Sequence, residues 1–217
     1  GDKGFGFDEV NAASVAEQIK KVADTGVQIG IVIGGGNFWR GRTSGDMGRS
    51  QADQIGMLAT VMNCIYMSEA VRHTGLMTNI LTPFECGSFT KLYSKDRAEK
   101  YLKAGHVVFF AGGTGHPYFS TDTATALRAI EIEADMILLA KAVDGIYDSD
   151  PKVNPDAKRY DTIAIQDVID QKLGVMDLTA SIMCMENKMP MRVFALDEKD
   201  SILKAISGDF NGTTVTV

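Results

Sequence analysis

The stretch Val27-Gln28-Ile29-Gly30-Ile31-Val32-Ile33-Gly34-Gly35-Gly36-Asn37-Phe38-Trp39-Arg40-Gly41 decides the fold class. Val27 to Ile33 is a short run rich in β-branched residues, which reads as a buried strand, and Gly34, Gly35 and Gly36 close it. Just ahead, Val15, Ile19 and Val22 lie at helical spacing, and Gly26 supplies a C-terminal stop. A helix, a buried strand and a glycine turn in that order are how a parallel sheet with covering helices begins.

The same unit recurs downstream. Gln51 to His73 carries Ile55, Leu58, Met62, Ile65 and Tyr66 three and four residues apart, which predicts the longest helix of the chain. Met77 to Thr82 reads as a strand, Asp96 to Lys103 as a short helix stopped by Gly105, and His106 to Ala111 as a strand ending at Gly112 and Gly113. Ser120 or Thr121 can cap a helix running to about Glu133, because a hydroxyl accepts from an orphan backbone N–H. Met136 to Ala140 returns as a strand. After the turn-rich stretch Asp144 to Asp156 come helices near Gln166 to Lys172 and Leu178 to Asn187, a strand Arg192 to Leu196, a last helix near Ser201 to Ile206, and an edge strand Thr213 to Val217. No internal repeat and no Pro/Ser-rich linker divides the chain, so 1–217 reads as a single α/β domain.

Composition narrows the classes. Of 217 residues, 45% are hydrophobic and 23% charged, which is globular and far from the composition of disorder. A formal net charge of -6 gives no footprint for wrapping DNA or RNA, though a local basic pocket for phosphates is compatible with it. Cys64, Cys86 and Cys184 are an odd number without paired spacing, so neither a disulfide framework nor a zinc knuckle is suggested, and a reducing cytoplasm fits best. No run approaches the roughly 18 apolar residues of a membrane span, and no basic-then-apolar signal segment leads the chain. The expectation is a soluble, unexported protein that does not engage a membrane.

Several segments carry chemistry. In Gly34 to Gly41, residues without a Cβ follow a buried strand, so backbone N–H groups can approach a phosphate while Arg40 adds a planar, multiply donating cation. The segment fits neither the Walker pattern nor the full dinucleotide fingerprint, and a strand-to-helix turn without ligand stays open on these residues alone. Gly112-Gly113-Thr114-Gly115-His116-Pro117-Tyr118-Phe119-Ser120-Thr121-Asp122 combines small residues, hydroxyls and aromatics that could wall a base, with Asp122 at the mouth of a helix; a capped turn is the alternative. Val143-Asp144-Gly145-Ile146-Tyr147-Asp148-Ser149-Asp150-Pro151 sets an aromatic among carboxylates. It lacks the ligand loop of an EF-hand, and either brackets adenine and ribose or is a solvated loop.

Taken together and in order, GGGNFWRG, ADQIGMLATVMN around Asp53, GGTGHPYFSTDT, IEADMILLAKAVDGIYDSDP and VMDLTA resemble the bacterial UMP kinases of the amino acid kinase superfamily nearly end to end. The resemblance implies a three-layer αβα sandwich with a mostly parallel central sheet and, usually, a hexamer. It implies phosphoryl transfer from ATP to UMP in pyrimidine nucleotide biosynthesis, with Mg2+ accompanying ATP and GTP and UTP as effectors. Gly35, Asp53, Thr114, Gly115, His116, Pro117, Tyr118, Phe119, Ser120 and Thr121 would meet UMP. Gly36, Arg40, Lys141, Tyr147 and Asp150 would serve ATP, while Arg40, Asp122 and Asp177 would act at the reacting phosphates.

Relatives begin with a strand carrying Lys-Leu-Ser-Gly, whose lysine and glycine sit at the transferring phosphate. This sequence opens just downstream with GDKGFGFD, and Lys3 is not that lysine because neither an apolar strand nor Ser-Gly surrounds it. Either the natural protein carries that strand ahead of Gly1, which is the expectation, or the chain would be inactive. Two rivals stand beside this reading: a kinase of the same superfamily acting on a carboxylate or carbamate, and a module that holds nucleotide without turnover. His73 and His106 read as solvated or locally satisfied, the three cysteines as inert, and the methionines of the long helix as core or subunit contact.

Overall fold

The computed structural model describes residues 5–39 and 46–217, so Arg40 lies outside the described residues. The chain forms two compact units, residues 1–124 and 125–217.

In the first unit, helix α1 (Glu9–Ala23) leads into strand β1 (Gly30–Val32), helix α2 (Arg49–His73), strands β2 (Thr78–Thr82) and β3 (Lys91–Leu92), helix α3 (Lys95–Lys103) and strand β4 (Val107–Phe110). The sheet order is β1-β4-β2-β3, with every pairing parallel. Strand β4 is buried along its whole length, as a strand covered on both faces must be. Neighbouring residues of β2 show why. Thr78 faces α2, where its hydroxyl meets Ser68 Oγ at 2.7 Å and receives Arg72 Nε at 2.6 Å. Asn79 points the other way and reaches His106 Nδ1 at 2.7 Å and Lys91 Nζ at 3.2 Å, beside Tyr101 of α3. Alternation along the strand therefore puts α2 and α3 on opposite faces. Caps set the helix starts: Asp8 accepts from the Asn11 N–H and Ser94 from the Arg97 N–H.

Helix α4 (Thr121–Glu131) spans the boundary between the units. The second unit continues with strands β5 (Ile137–Lys141), β6 (Ile146–Tyr147), β7 (Arg159–Tyr160) and β8 (Thr162–Ala164) and helices α5 (Ile165–Asp170) and α6 (Leu178–Glu186). Strand β9 (Met191–Ala195), helix α7 (Ser201–Ser207) and strand β10 (Gly212–Thr216) complete it. Its main sheet runs β5-β9-β10-β8, with only β9–β10 antiparallel, and β6 pairs with β7 as a separate hairpin. Met191 and Val193 of β9 join Ile165, Val168, Ala180 and Cys184 in one apolar core. Arg192, between them, turns to the opposite face and donates to the last carbonyls of α7, Ala205 O and Ile206 O. Among the described residues no helix is long and apolar enough to cross a membrane.

The mostly parallel α/β architecture expected from the sequence is observed, with differences in detail. The buried strand expected over Val27 to Ile33 is only Gly30–Val32, with Gly30 exposed and Ile31 and Val32 half-buried, and the short strands β3, β6, β7 and β8 were not expected. Strand β10 is not an edge: it lies between β9 and β8, and Thr213 and Val215 are fully buried. The apolar spacing of α2 marks its outward face. Ile55, Leu58, Met62 and Ile65 are exposed, while Ala52, Ala59, Cys64 and Val71 pack inward. Small residues let the helix approach the sheet closely, and Val61 and Met67 are buried beside them.

Candidate active site

Because β1 and β4 are paired in parallel with Val32 opposite Phe110, the loops that leave their carboxyl ends emerge side by side. Such strand ends are where open α/β sheets bind ligands. The first loop is fastened to α2. Gly35 is buried against that helix, and a Cβ there would come within 2.8 Å of Gly56 O and 2.9 Å of Ala59 Cβ. Gly35 O accepts the Phe38 and Trp39 N–H groups at 3.0 Å. Asn63 Nδ2 donates to Gly34 O and to Asn37 Oδ1, each at 2.7 Å, and Trp39 Nε1 donates to Ala52 O at 2.8 Å. The loop is thus held by side chains, with Gly34 and Gly36 exposed at its rim.

The second loop begins at Gly112, whose N–H donates to Thr60 Oγ1 at 2.8 Å. Gly112 has φ 82°, a left-handed backbone, and a Cβ would meet the Phe84 ring at 2.9 Å, so both conformation and space demand glycine. Thr114 Oγ1 accepts the His116 N–H at 3.2 Å, closing the tip. Asp53 of α2 accepts the Tyr118 N–H at 2.8 Å. Ser120 Oγ accepts the Thr123 N–H at 3.1 Å, so Ser120 supplies the α4 cap. Tyr118 and Phe119 expose their rings, and His116 is exposed as well. Pro117 and Thr121 are partly buried, as is Asp122, which lies in the first turn of α4. The structure therefore sets the loop of Gly34 to Gly36 beside the loop that ends at Thr121, whose Oγ1 would lie 3.9 Å from a Cβ on Gly34, and ties the second loop to Asp53.

In the second unit, Lys141 ends β5 and stands opposite Ala195, the end of β9. An open cleft of about 570 Å³ lies at these strand ends, lined by Val143, Asp144, Asp197, Glu198 and Asn211 among others. Tyr147, on β6, donates its hydroxyl to Asp144 Oδ1 at 2.7 Å, and Arg159 Nη1 donates to Asp144 Oδ2 at 2.8 Å and also to Asn211 Oδ1. Partial burial pushes the Asp144 carboxyl up, but the Tyr147 hydroxyl and the Arg159 charge together hold it below its ordinary value. The same bond to Asp144 raises the Tyr147 phenol. Asp150 accepts the Lys152 N–H at 2.9 Å and shapes the turn that follows. A carboxylate-lined cleft favours the hydroxyls and amino group of a nucleoside and repels phosphates. Asp177 caps α6, accepting the Ala180 N–H at 2.9 Å.

Thr60 and Asn63, and Arg159 beside Asp144, support these loops without any local signal in the sequence, whereas Arg49 beside Asp53 is a helical i,i+4 pair that spacing alone could have found. Burial pushes the Cys64 thiol up to about 12 and the Cys184 thiol to about 11, which makes both inert as nucleophiles at neutral pH.

The sequence model of the Amino acid kinase family matches residues 1–195. The chain belongs to the amino acid kinase family. Among solved structures, this amino acid kinase is similar to UMP kinase from Ureaplasma parvum, at 37% identity and TM-score 0.93 over 97% of this chain and 91% of that one. It is similar to UMP kinase from Bacillus anthracis at 33% identity and TM-score 0.95, covering 99% of this chain and 90% of the other. A more distant likeness is to uridylate kinase from Archaeoglobus fulgidus, at 26% identity and TM-score 0.77, covering 96% and 94%.

Proposed function

We propose that this amino acid kinase is a UMP kinase, moving the γ-phosphoryl group of ATP to UMP to give UDP and ADP in pyrimidine nucleotide biosynthesis. The observation that carries the reading is the loop from Gly112 to Thr121, tied through the Tyr118 N–H to Asp53, on a chain similar over nearly its whole length to two bacterial UMP kinases. Gly35, Asp53 and the run Thr114 to Thr121 hold UMP, whose ribose hydroxyls suit a carboxylate acceptor and whose phosphate suits loop amides. Lys141, Tyr147 and Asp150 serve the nucleoside end of ATP, with Gly36 and Arg40 at its phosphates. Residues 1–217 act as one amino acid kinase domain in this reading, supported by a family match that crosses the boundary between the two units.

The acceptor phosphate is already an anion at neutral pH, so no base need create a nucleophile, and catalysis rests on positioning and charge neutralisation. Mg2+ would enter with ATP, held chiefly by phosphate oxygens and water. Bound there, Mg2+ would neutralise charge on the phosphate oxygens. Asp122 and Asp177 orient cations or water near the phosphates.

The exposed apolar stripe Ile55, Leu58, Met62 and Ile65 on α2 supports a homo-oligomer, a hexamer in this reading. GTP and UTP as effectors and a cytoplasmic location belong to the same proposal. Offering UMP, CMP and aspartate with ATP and measuring ADP release tests the assignment. UMP is expected to give by far the highest kcat/KM; no ADP above the acceptor-free rate with UMP would overturn it.

A further inference from the structure

Arg49 opens α2, one turn before Asp53. Its Nε donates to Asp53 Oδ2 at 2.8 Å, and that same oxygen accepts the Tyr118 N–H at 2.8 Å. The Arg49 guanidinium carbon also stands 5.4 Å from the centroid of the Tyr118 ring. One arginine thus grips the loop directly through a cation–π contact and indirectly through a carboxylate.

What it grips is strained. Tyr118 has φ 73°, a left-handed backbone that a residue with a side chain adopts only when its surroundings hold it there. Tyr118 is 67% exposed, so burial in an apolar core does not supply the hold. The restraint visible in the structure is the Asp53 carboxylate on the Tyr118 N–H, with Arg49 fixing the rotation of that carboxylate and so the direction of its second oxygen.

We propose that Arg49 and Asp53 form a latch that keeps the loop 114–121 in its acceptor-binding shape before the acceptor arrives, with Arg49 as the positioning residue. The inference rests on the reading of this loop as the UMP loop and extends it to a residue that need not touch the nucleotide. A pre-shaped loop pays its ordering cost in folding, so releasing the latch moves that cost to binding. The expected signature is a rise in KM for UMP with kcat and the KM for ATP nearly unchanged.

Arg49→Met keeps the aliphatic stem and removes the charge and the donors. It should raise the KM for UMP about fivefold to tenfold while changing the KM for ATP and kcat by less than about twofold. In a Tyr118→Gly background the left-handed backbone carries no penalty, so the same Arg49→Met change should cost less than about twofold. Equal rises in both KM values, no rise for UMP, or an undiminished effect beside Gly at position 118 would each overturn the latch. A second readout needs no turnover: without nucleotide, Arg49→Met should speed exchange of the Tyr118 amide proton about tenfold, because its acceptor is no longer held. An unchanged exchange rate overturns the latch whatever the acceptor is. A wild-type protein that exchanges slowly at Tyr118 yet fails to phosphorylate UMP would leave the latch standing and overturn the acceptor assignment.

Discussion

Gly35 in the first unit and Gly145 in the second both follow a strand and both stand where an added Cβ would collide, but with different objects. At Gly35 the neighbours are the main chain of α2, Gly56 O at 2.8 Å and Thr60 N at 3.3 Å, together with Ala59 Cβ at 2.9 Å. At Gly145 they are side-chain atoms, Arg159 Cδ at 2.6 Å and Thr213 Oγ1 at 2.7 Å. The first cradle is thus main chain laid against main chain, with few degrees of freedom to relieve a clash. The second is a mesh of side chains around Asp144, in which a long arginine can swing aside. Two loops that look alike as glycine-bearing turns should therefore tolerate change very differently.

The sharpest way to break this contrast is Gly35→Ala. Helix α2 would have to move away from the loop, so we expect a loss of about 3 kcal/mol in urea unfolding and a large fall in turnover. A variant as stable as the parent would show that α2 can shift, and the distinction would disappear. Next comes Gly145→Ala, for which we expect about 1–2 kcal/mol, since Arg159 can give way more easily than backbone. Adding Arg159→Ala should make the pair markedly less destabilised than the sum of the two single changes. Strict additivity would mean that Thr213, a buried residue that cannot swing away, meets the new methyl instead.

The smallest effect concerns pH. Asp144 is held below its ordinary value by Tyr147 and Arg159 against the upward push of burial, and Asp148 is lowered chiefly by the Lys158 N–H. Groups whose folded value is depressed add stability that is present above their unfolded value, roughly pH 4, and is lost as pH falls through the folded one. Thermal midpoints taken at pH 6 and pH 3 should therefore drop, and drop less in Asp144→Asn. An equal drop would show that the mesh around Asp144 contributes nothing to acid sensitivity.

Much of this was legible in the residues themselves. Glycine after an apolar run has a local meaning, and the loops at Gly34 and Gly112 were found from it, although only the run before Gly112 is fully buried. The start of α4 was visible in Ser120, whose hydroxyl does accept a first-turn N–H. The apolar repeat of α2 gave the helix and its length correctly but not its orientation. Periodicity reports that one face differs from another, and only packing tells which face turns inward. In α2 the inward side carries Ala52, Ala59 and Cys64 together with Val61, Met67 and Val71, so residue size alone does not tell the two faces apart. Likewise the Thr-Val alternation of β10 marks a strand, while its interior place depends on the distant β8 joining it in parallel.

The sequence by itself determined the α/β class, the positions of the glycine turns and the resemblance that points to a nucleotide kinase, since each rests on residues near one another in the chain. The tertiary structure alone decided which side chains hold those turns: Arg49 and Asp53 on Tyr118, Thr60 on Gly112, Asn63 on Gly34, and Arg159 on Asp144. Apart from the helical pair Arg49 and Asp53, these partners are separated by many residues. No local pattern records a hydrogen bond that exists only once the chain has folded.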